Sequence, residues 1–301
     1  MSARLRTVLR WTARLAGGLV VLLLVVGAGV YGISEHHATS RYVVPEHPLR
    51  VPTDSDSVAR GAHMAAVRGC AGCHAPDLSG QIDIDDPLIG RLVMPNLTRG
   101  GRGAALTDRD WERAVRHGVR RDGTPLVVMP AHLHSQLSDE DLGDIVAYAR
   151  SLPPNPVVRP SSRLGPAIRL MDAAGQVRLF AAARIDHAKP HPTRVVPAPT
   201  AEYGAYLAPV CVDCHGEHLS GGPIPGAPPG WMPPANITPA GIGHYTEADL
   251  VRALREGIRP GGTRIAAQMP IEQVTRHFTD EEIHALYAYL RTVPPRPYGQ
   301  R

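Results

Sequence analysis

The pattern of apolar and polar positions divides the chain into one uninterrupted apolar run and a series of amphipathic segments. The run, residues 15–33, carries no charged side chain. At about 1.5 Å per residue it forms a helix of roughly 28 Å, close to the hydrocarbon thickness of a bilayer. Four arginines precede it: Arg4, Arg6, Arg10 and Arg14. The positive-inside rule therefore predicts a cytoplasmic N-terminus and an exported remainder. A cleaved signal peptide is the alternative, with residues 27–29 as its cleavage region.

The amphipathic segments have helical spacing. In one of them, Leu142, Ile145 and Val146 recur at intervals of three and four residues, and in another Ile283 and Leu286 do the same. This spacing predicts helices with one buried face. No run alternates strongly enough to predict a strand. We therefore predict an all-α fold.

Capping signals give the ends of these helices. Six are predicted, over residues 58–68, 107–118, 138–152, 201–207, 246–257 and 279–293. Thr107 and Thr246 each have an aspartate three residues later, which is a variant of the capping box. Gly118 and Gly257 suit helix C-termini, and paired prolines end the last helix of each half.

The two halves of the chain match over about 85 residues. Leu78-Ser79-Gly80 corresponds to 219–221, and Ser138-Asp139-Glu140-Asp141 corresponds to 279–282, at offsets of 138 to 141 residues. Such a fixed offset indicates a tandem duplication. The predicted organisation is a basic tail with a transmembrane anchor (1–40), a first domain (57–155), a proline-rich linker (156–198) and a second domain (199–297). An amphipathic helix is predicted over 167–185 of the linker, packed on one or both domains; a docking surface is the alternative.

All four cysteines lie in two C-x-x-C-H motifs, CAGCH at 70–74 and CVDCH at 211–215. This motif is the attachment signature of c-type haem, in which two thiols bond the porphyrin and the histidine binds iron. Redox dithiols leave the histidine unexplained. The two cysteine pairs lie 141 residues apart in different surroundings, so a structural zinc at either pair needs two further ligands nearby. We predict two covalently bound haem c groups. The residues predicted to hold them are Cys70, Cys73, His74, Cys211, Cys214 and His215.

Two methionine pairs are candidates for the second axial ligand. Met129 and Met269 follow the haem histidines by 55 and 54 residues, and each precedes a proline. Met94 and Met232 follow by only 20 and 17 residues. A loop that brings sulfur to the far side of a porphyrin needs the longer path, so we predict Met129 and Met269 as ligands. His132 and His134 compete in the first domain, but the second has no counterpart.

Asn96 and Asn236 occupy matching polar loops, each two residues before a threonine. Their amides are candidates to bond a haem propionate, with ordinary turn chemistry as the alternative.

Composition and charge add two limits. Aromatic residues make up only 5% of the chain, with two phenylalanines, which is sparse for two cores made of protein alone. The four N-terminal arginines account for the net charge of +4, because the remaining 28 basic residues balance 28 acidic ones. The exported part therefore has no basic excess, and nucleic-acid binding is not expected.

Each half resembles a class I-type cytochrome c domain. The resemblance rests on CAGCH and CVDCH, NLTRGG and NITPAGIG, VMP and QMP, and LSDEDLGDIVAYARSLPP and FTDEEIHALYAYLRTVPP. The chain is most similar to multi-haem cytochrome c subunits of membrane-bound periplasmic dehydrogenases, such as quinoprotein alcohol dehydrogenase and gluconate dehydrogenase. The resemblance implies His74 and His215 as proximal ligands and Met129 and Met269 as distal ligands.

These observations predict an electron-transfer protein without an enzymatic activity of its own. It is expected in the cytoplasmic membrane, with both haem domains on the periplasmic side. The expected partners are a dehydrogenase or quinol-oxidising complex as electron donor and a cytochrome or terminal oxidase as acceptor. A dihaem peroxidase and a haem-based sensor are the alternatives, and both require an open iron site.

Overall fold

The computed structural model of the chain describes residues 3–301, so Met1 and Ser2 of the predicted anchor segment lie outside the described residues. The chain begins with α1 (Ala3–Thr39), a helix of 37 residues whose apolar side chains are exposed. Within residues 3–301, Arg4–Thr39 is the one stretch long and apolar enough to cross a membrane. A membrane anchor and a signal sequence both have this character.

Two helical units follow α1 with their main elements in the same order. The first unit contains α2 (Ser55–Val67), α3 (Cys70–His74), α4 (Asp108–His117), α5 (Ala131–His134) and α6 (Asp139–Ser151). The linker contains α7 (Pro166–Ala173). The second unit contains α8 (Ala201–Leu207), α9 (Pro209–His215), α10 (Pro239–Ile242), α11 (Glu247–Glu256) and α12 (Asp280–Thr292). All six helices predicted for the two halves are present, which confirms a mostly helical fold.

The capping boxes form as the sequence predicts. At the start of α4, the Asp110 backbone N–H donates to Thr107 Oγ1, and the Thr107 N–H donates to the Asp110 carboxylate at 2.9 Å. Thr246 makes the same exchange at the start of α11. Both helices end at a glycine with left-handed backbone, Gly118 and Gly257.

The first and last helices of each unit cross at a glycine. A Cβ atom at Gly61 of α2 would lie 1.9 Å from the carbonyl oxygen of Asp144 in α6. A Cβ atom at Gly204 of α8 would lie 2.0 Å from the carbonyl oxygen of Ala285 in α12. Neither contact is sterically allowed, so each crossing depends on the missing side chain.

An approximate two-fold axis relates the two units. His63 of α2 bonds Glu282 at the start of α12, with 2.8 Å between Nε2 and Oε1. Tyr206 of α8 donates its hydroxyl to Asp141, the equivalent residue at the start of α6. The first helix of each unit thus contacts the N-terminus of the last helix of the other unit. Apolar side chains from both units form one buried cluster, which includes Trp111 and Ile283.

Two predictions about regular structure are wrong. Residues 81–94 form an antiparallel hairpin of β1 (Gln81–Asp86) and β2 (Gly90–Met94), and the linker adds β3 (Arg163–Leu164) beyond β2. The residues of β1 do not alternate between buried and exposed, so the sequence gives no strand signal there. Strand β3 comes from a segment some 70 residues after β2, which local patterns do not reveal. The helix predicted over 167–185 ends at Ala173, since Gly175 turns the chain with a φ of +68°.

Candidate haem-binding sites

Each C-x-x-C-H motif forms a short helix that presents its histidine in the same way. His74 and His215 are buried. His74 Nδ1 donates to the carbonyl oxygen of Pro95 at 3.0 Å, and His215 Nδ1 donates to that of Ala235 at 2.7 Å. These bonds fix the ring orientation and place the proton on Nδ1, so that Nε2 is the nitrogen that can bind a metal.

Burial sets the protonation of these histidines. It lowers the pKa of His74 and of His215, and the backbone hydrogen bond of each only partly opposes this effect. Both imidazoles are therefore neutral at physiological pH, which is the form that coordinates iron.

The four thiols are free and none forms a disulfide. Burial raises the pKa of Cys70 to about 11 and that of Cys211 to about 12. Burial also raises the pKa of Cys73 and of Cys214. These are not the low-pKa thiols of a redox dithiol.

The zinc alternative lacks ligands around the cysteines. In the part of the chain that the structure describes, one group of three or more ligating side chains of His, Cys, Asp or Glu has its ligand atoms within 4.8 Å of one another. That group is Glu112, His117 and His191, and it contains no cysteine.

The backbone after each motif repeats a conformation that the sequence did not predict. The N–H of Gly80 donates to the carbonyl oxygen of His74 at 2.7 Å, and the N–H of Gly221 donates to that of His215 at 2.8 Å. Between these residues, Leu78 and Leu219 have φ values of +55° and +57°. Left-handed leucines are costly, and a matching pair indicates a local constraint shared by both sites. The Leu-Ser-Gly repeat was the available signal for it.

The two asparagines are occupied by protein contacts. Asn96 Oδ1 accepts from the N–H and hydroxyl of Thr98, and Asn96 Nδ2 donates to the carbonyl oxygens of Asn155 and Val157. Asn236 has the same arrangement, in which Nδ2 donates to the carbonyl oxygen of Arg296 at 2.7 Å. These bonds favour the turn alternative over a contact with a haem propionate.

The members of one methionine pair have similar surroundings, and those of the other pair do not. Met129 and Met269 are both half-buried, and each lies just before a short helical turn. Met94 is 7% exposed within β2, whereas Met232 is 57% exposed in a loop. Val128, directly before Met129, has a φ of +64° and donates its N–H to the linker carbonyl of Leu179 at 2.7 Å. A β-branched residue at positive φ is strained, which marks this loop as held by its surroundings.

The rival histidines are engaged or enclosed. His132 Nε2 lies 2.7 Å from Asp213 Oδ1, inside the second haem motif. His134 is buried, and burial, together with nearby Arg68, lowers its pKa to about 3.

The donor set fits haem c in both units. Each offers two free thiols three residues apart on one short helix, followed at once by a neutral histidine whose Nδ1 is already bonded. This combination is what covalent attachment and axial ligation require.

Comparison with known proteins matches both units. Residues 56–148 match the family described as cytochrome c oxidase, cbb3-type, subunit III, and residues 201–294 match the cytochrome c family. The chain therefore contains two cytochrome c domains, and the first and second units are called domain 1 and domain 2 below.

The relatives are cytochrome c subunits of dehydrogenases and a dihaem cytochrome c. The chain is 28% identical over 282 residues to the cytochrome c subunit of the quinone alcohol dehydrogenase of Gluconacetobacter polyoxogenes, which covers 82% of this chain and 58% of that protein. It is 27% identical over 311 residues to a dihaem cytochrome c of Cereibacter sphaeroides. This alignment covers 93% of this chain and 98% of that cytochrome. The chain is also 27% identical to the gluconate 2-dehydrogenase cytochrome c subunit of Pantoea cypripedii, and this alignment covers 81% of this chain and 61% of that subunit. The chain thus spans less than two thirds of the length of the alcohol dehydrogenase subunit that it matches. Its two cytochrome c domains are related to those of dehydrogenase cytochrome subunits, as the resemblance implies.

Proposed function

We propose that this protein is a membrane-anchored carrier that takes electrons from a periplasmic dehydrogenase or a quinol-oxidising complex and passes them to another cytochrome or a terminal oxidase. One observation carries the proposal. Both domains fix a buried, neutral histidine by the same bond from Nδ1 to a backbone carbonyl, next to two free thiols. Two such sites in one chain suit sequential electron transfer better than the binding of a substrate.

In this proposal each residue type has one task. The thiols of Cys70 and Cys73 would hold haem through thioether bonds in domain 1, as those of Cys211 and Cys214 would in domain 2. His74 and His215 would bind the iron through Nε2, and Met129 and Met269 would bind it through sulfur. Haem bound in this way supplies a reversible one-electron couple whose potential methionine raises. The protein supplies burial and fixed ligands.

The contact between the domains supports electron transfer from one haem to the other. In domain 1, a Cβ atom at Gly72 would lie 4.0 Å from Gln273 Cβ, four residues after Met269. In the other direction, Asp213 of the second motif bonds His132, three residues after Met129. The attachment helix of each domain thus faces the segment that follows the proposed methionine ligand of the other.

The N-terminal helix supports anchoring. Its last turns pack on α7 of the linker, where Arg169 bonds Glu35 at 3.0 Å and stacks over the ring of Tyr31. His37 also bonds Asp172 of α7 at 3.1 Å. These contacts join the end of the apolar helix to the folded part, which suits a retained anchor. The dehydrogenase names of several relatives support the donor class.

The experiment uses membranes from cells that make the tagged protein. Addition of an alcohol or sugar-acid substrate to these membranes should reduce both haems, and the intact N-terminal segment should stay in the membrane after an alkaline carbonate wash. A soluble protein whose first residue follows position 27 would contradict the anchor. Turnover of hydrogen peroxide, or binding of carbon monoxide by the native reduced protein, would favour the peroxidase or the sensor.

A further inference from the structure

A buried cluster of histidines and carboxylates lies in domain 1, apart from the haem motif. Glu112 and His117 come from α4, and His187 and His191 come from the linker. We propose that Glu112, His117 and His191 form a binding site for a divalent cation of the zinc class.

The three ligands are close enough for tetrahedral coordination. Glu112 Oε1 lies 3.2 Å from His117 Nε2 and 3.9 Å from His191 Nε2. Bonds of about 2.0–2.1 Å at a tetrahedral zinc ion separate neighbouring ligand atoms by about 3.3 Å. All three ligand atoms lie within 4.8 Å of one another, so rotations of the side chains can bring them to that geometry. The side chains of Glu112, His117 and His191 are only 1%, 2% and 5% exposed, so water cannot act as a hydrogen-bond partner for them.

Several polar atoms of the cluster have no hydrogen-bond partner. Within residues 3–301, these are Glu112 Oε2, His187 Nε2 and His191 Nδ1, and all three are buried. Burying an unpaired carboxylate oxygen or ring nitrogen costs free energy. A cation that binds the carboxylate and imidazole lone pairs removes part of that cost.

The neighbours of the cluster orient its ligands. His117 Nδ1 lies 2.9 Å from His187 Nδ1, which fixes the ring so that Nε2 faces Glu112. With its proton on Nδ1, His117 leaves Nε2 available as a ligand, and metal-binding histidines commonly donate this second ring N–H to an acceptor. Arg116 also approaches Glu112, at 3.7 Å, but it donates its hydrogen bonds to Asp139 and to the carbonyl oxygen of Leu137. The Glu112 carboxylate therefore accepts no hydrogen bond from Arg116.

The cluster belongs to domain 1 alone. At the positions that match Glu112 and His117 in the duplication, domain 2 has Val251 and Glu256. The third ligand, His191, comes from the linker. A bound cation would tie the linker to α4 next to the first haem domain.

Zinc is the probe, because two imidazoles and a carboxylate suit it. The full-length, haem-loaded protein in detergent is treated with a chelator, which leaves covalently bound haem in place. It is then titrated with zinc chloride, desalted and analysed for zinc and iron. We expect one zinc per two irons and a rise in the thermal unfolding temperature when zinc is bound.

The variants separate a site from general binding to histidines. His191→Gln and Glu112→Gln should each weaken zinc binding at least tenfold while keeping the haem spectrum. His284→Ala is the matched control, because His284 forms an exposed pair with Glu247 in domain 2, at 2.9 Å. Native protein that retains no zinc, or variants that bind zinc as the control does, would overturn the proposal and leave a hydrogen-bonded histidine network.

Discussion

The two cytochrome c domains are alike around their haem motifs and different in what covers them. In both, a backbone carbonyl fixes the haem histidine, and an asparagine–threonine turn follows it, at Asn96 and Asn236. Domain 1 continues into the β1–β2 hairpin, which the linker covers. Domain 2 has a proline-rich loop at the same place, with Trp231 and Met232 exposed. The groups that orient the haem histidine are therefore duplicated, whereas the surface beside them has diverged.

The linker accounts for much of this difference. It adds a strand to the sheet of domain 1, contributes Phe180 to a small core with Leu92, and fixes the loop before Met129 through the carbonyl of Leu179. The loop before Met269 instead closes on itself, where the Met269 N–H donates to the carbonyl of Ala266 at 3.0 Å. The linker therefore fixes the first methionine loop, whereas a local hydrogen bond closes the second.

The largest effect is expected from removing the thiols of one domain. The double variant Cys70→Ala/Cys73→Ala should keep the haem of domain 2 alone, and Cys211→Ala/Cys214→Ala should keep that of domain 1 alone. Covalent haem per chain, measured after denaturation, should fall by half in each. Two haems retained in either variant would break the equivalence of the two sites.

The methionine variants come next. Met129→Ala and Met269→Ala should each convert one haem from a low-spin His/Met spectrum to one that binds carbon monoxide, because the sulfur ligand is lost. Met232→Ala is the control, since Met232 is exposed, and its spectrum should match that of the native protein. A native spectrum in Met129→Ala or Met269→Ala would show that the ligand lies elsewhere in that domain.

The interface between the domains should respond to pH. A hydrogen bond to Glu282 raises the pKa of His63 despite its burial, and the pKa of Glu282 is lowered although its own burial opposes this. The stabilisation by His63 is therefore complete below its ordinary pKa of 6.5 and is lost as pH rises through its raised pKa. The stabilisation by Glu282 is complete above its ordinary pKa of 4.5 and is lost as pH falls through its lowered pKa.

Substitution of His63 tests this pair. His63→Gln should cost about 1 kcal/mol at pH 6, a value typical of a partly exposed ion pair, and less at pH 9. Denaturant unfolding at the two pH values measures the difference. Tyr206→Phe is the matched control on the other side of the two-fold axis, because it loses a hydroxyl contact with Asp141 but no histidine. If His63→Gln lowered the free energy of unfolding equally at both pH values, the charged pair of His63 with Glu282 would be contradicted.

The smallest effect concerns the helix caps. Thr107→Ala should destabilise domain 1 by about 1 kcal/mol, because it removes the side-chain acceptor at the start of α4. Thr107→Ser should restore most of that loss. Thr246→Ala should have a smaller effect, since the matching cap of α11 is exposed. A larger loss from Thr246→Ala than from Thr107→Ala in denaturant unfolding would contradict this order.

The sequence predicted the features that depend on local signals. The caps at Thr107 and Thr246 and the glycine ends of both helices follow from a few adjacent residues, and all of them formed. The features that it did not predict depend on contacts between distant segments. Strand β3 needs the linker, and the glycine crossing of α2 with α6 brings Gly61 against Asp144.

The candidate sites show the same division. The motifs identify His74 and His215, but the carbonyl groups of Pro95 and Ala235 that orient them carry no side-chain signal. The buried group around Glu112 escaped prediction because His191 comes from a separate part of the chain. The roles of these histidines and of the methionines as iron ligands remain predictions.

Intact-mass spectrometry of the denatured full-length protein tests the central claim most directly. The polypeptide should carry the mass of two haem groups, and proteolysis should locate one on each peptide that contains a C-x-x-C-H motif. A polypeptide with the mass of its amino acids alone, or with a single haem, would contradict the account.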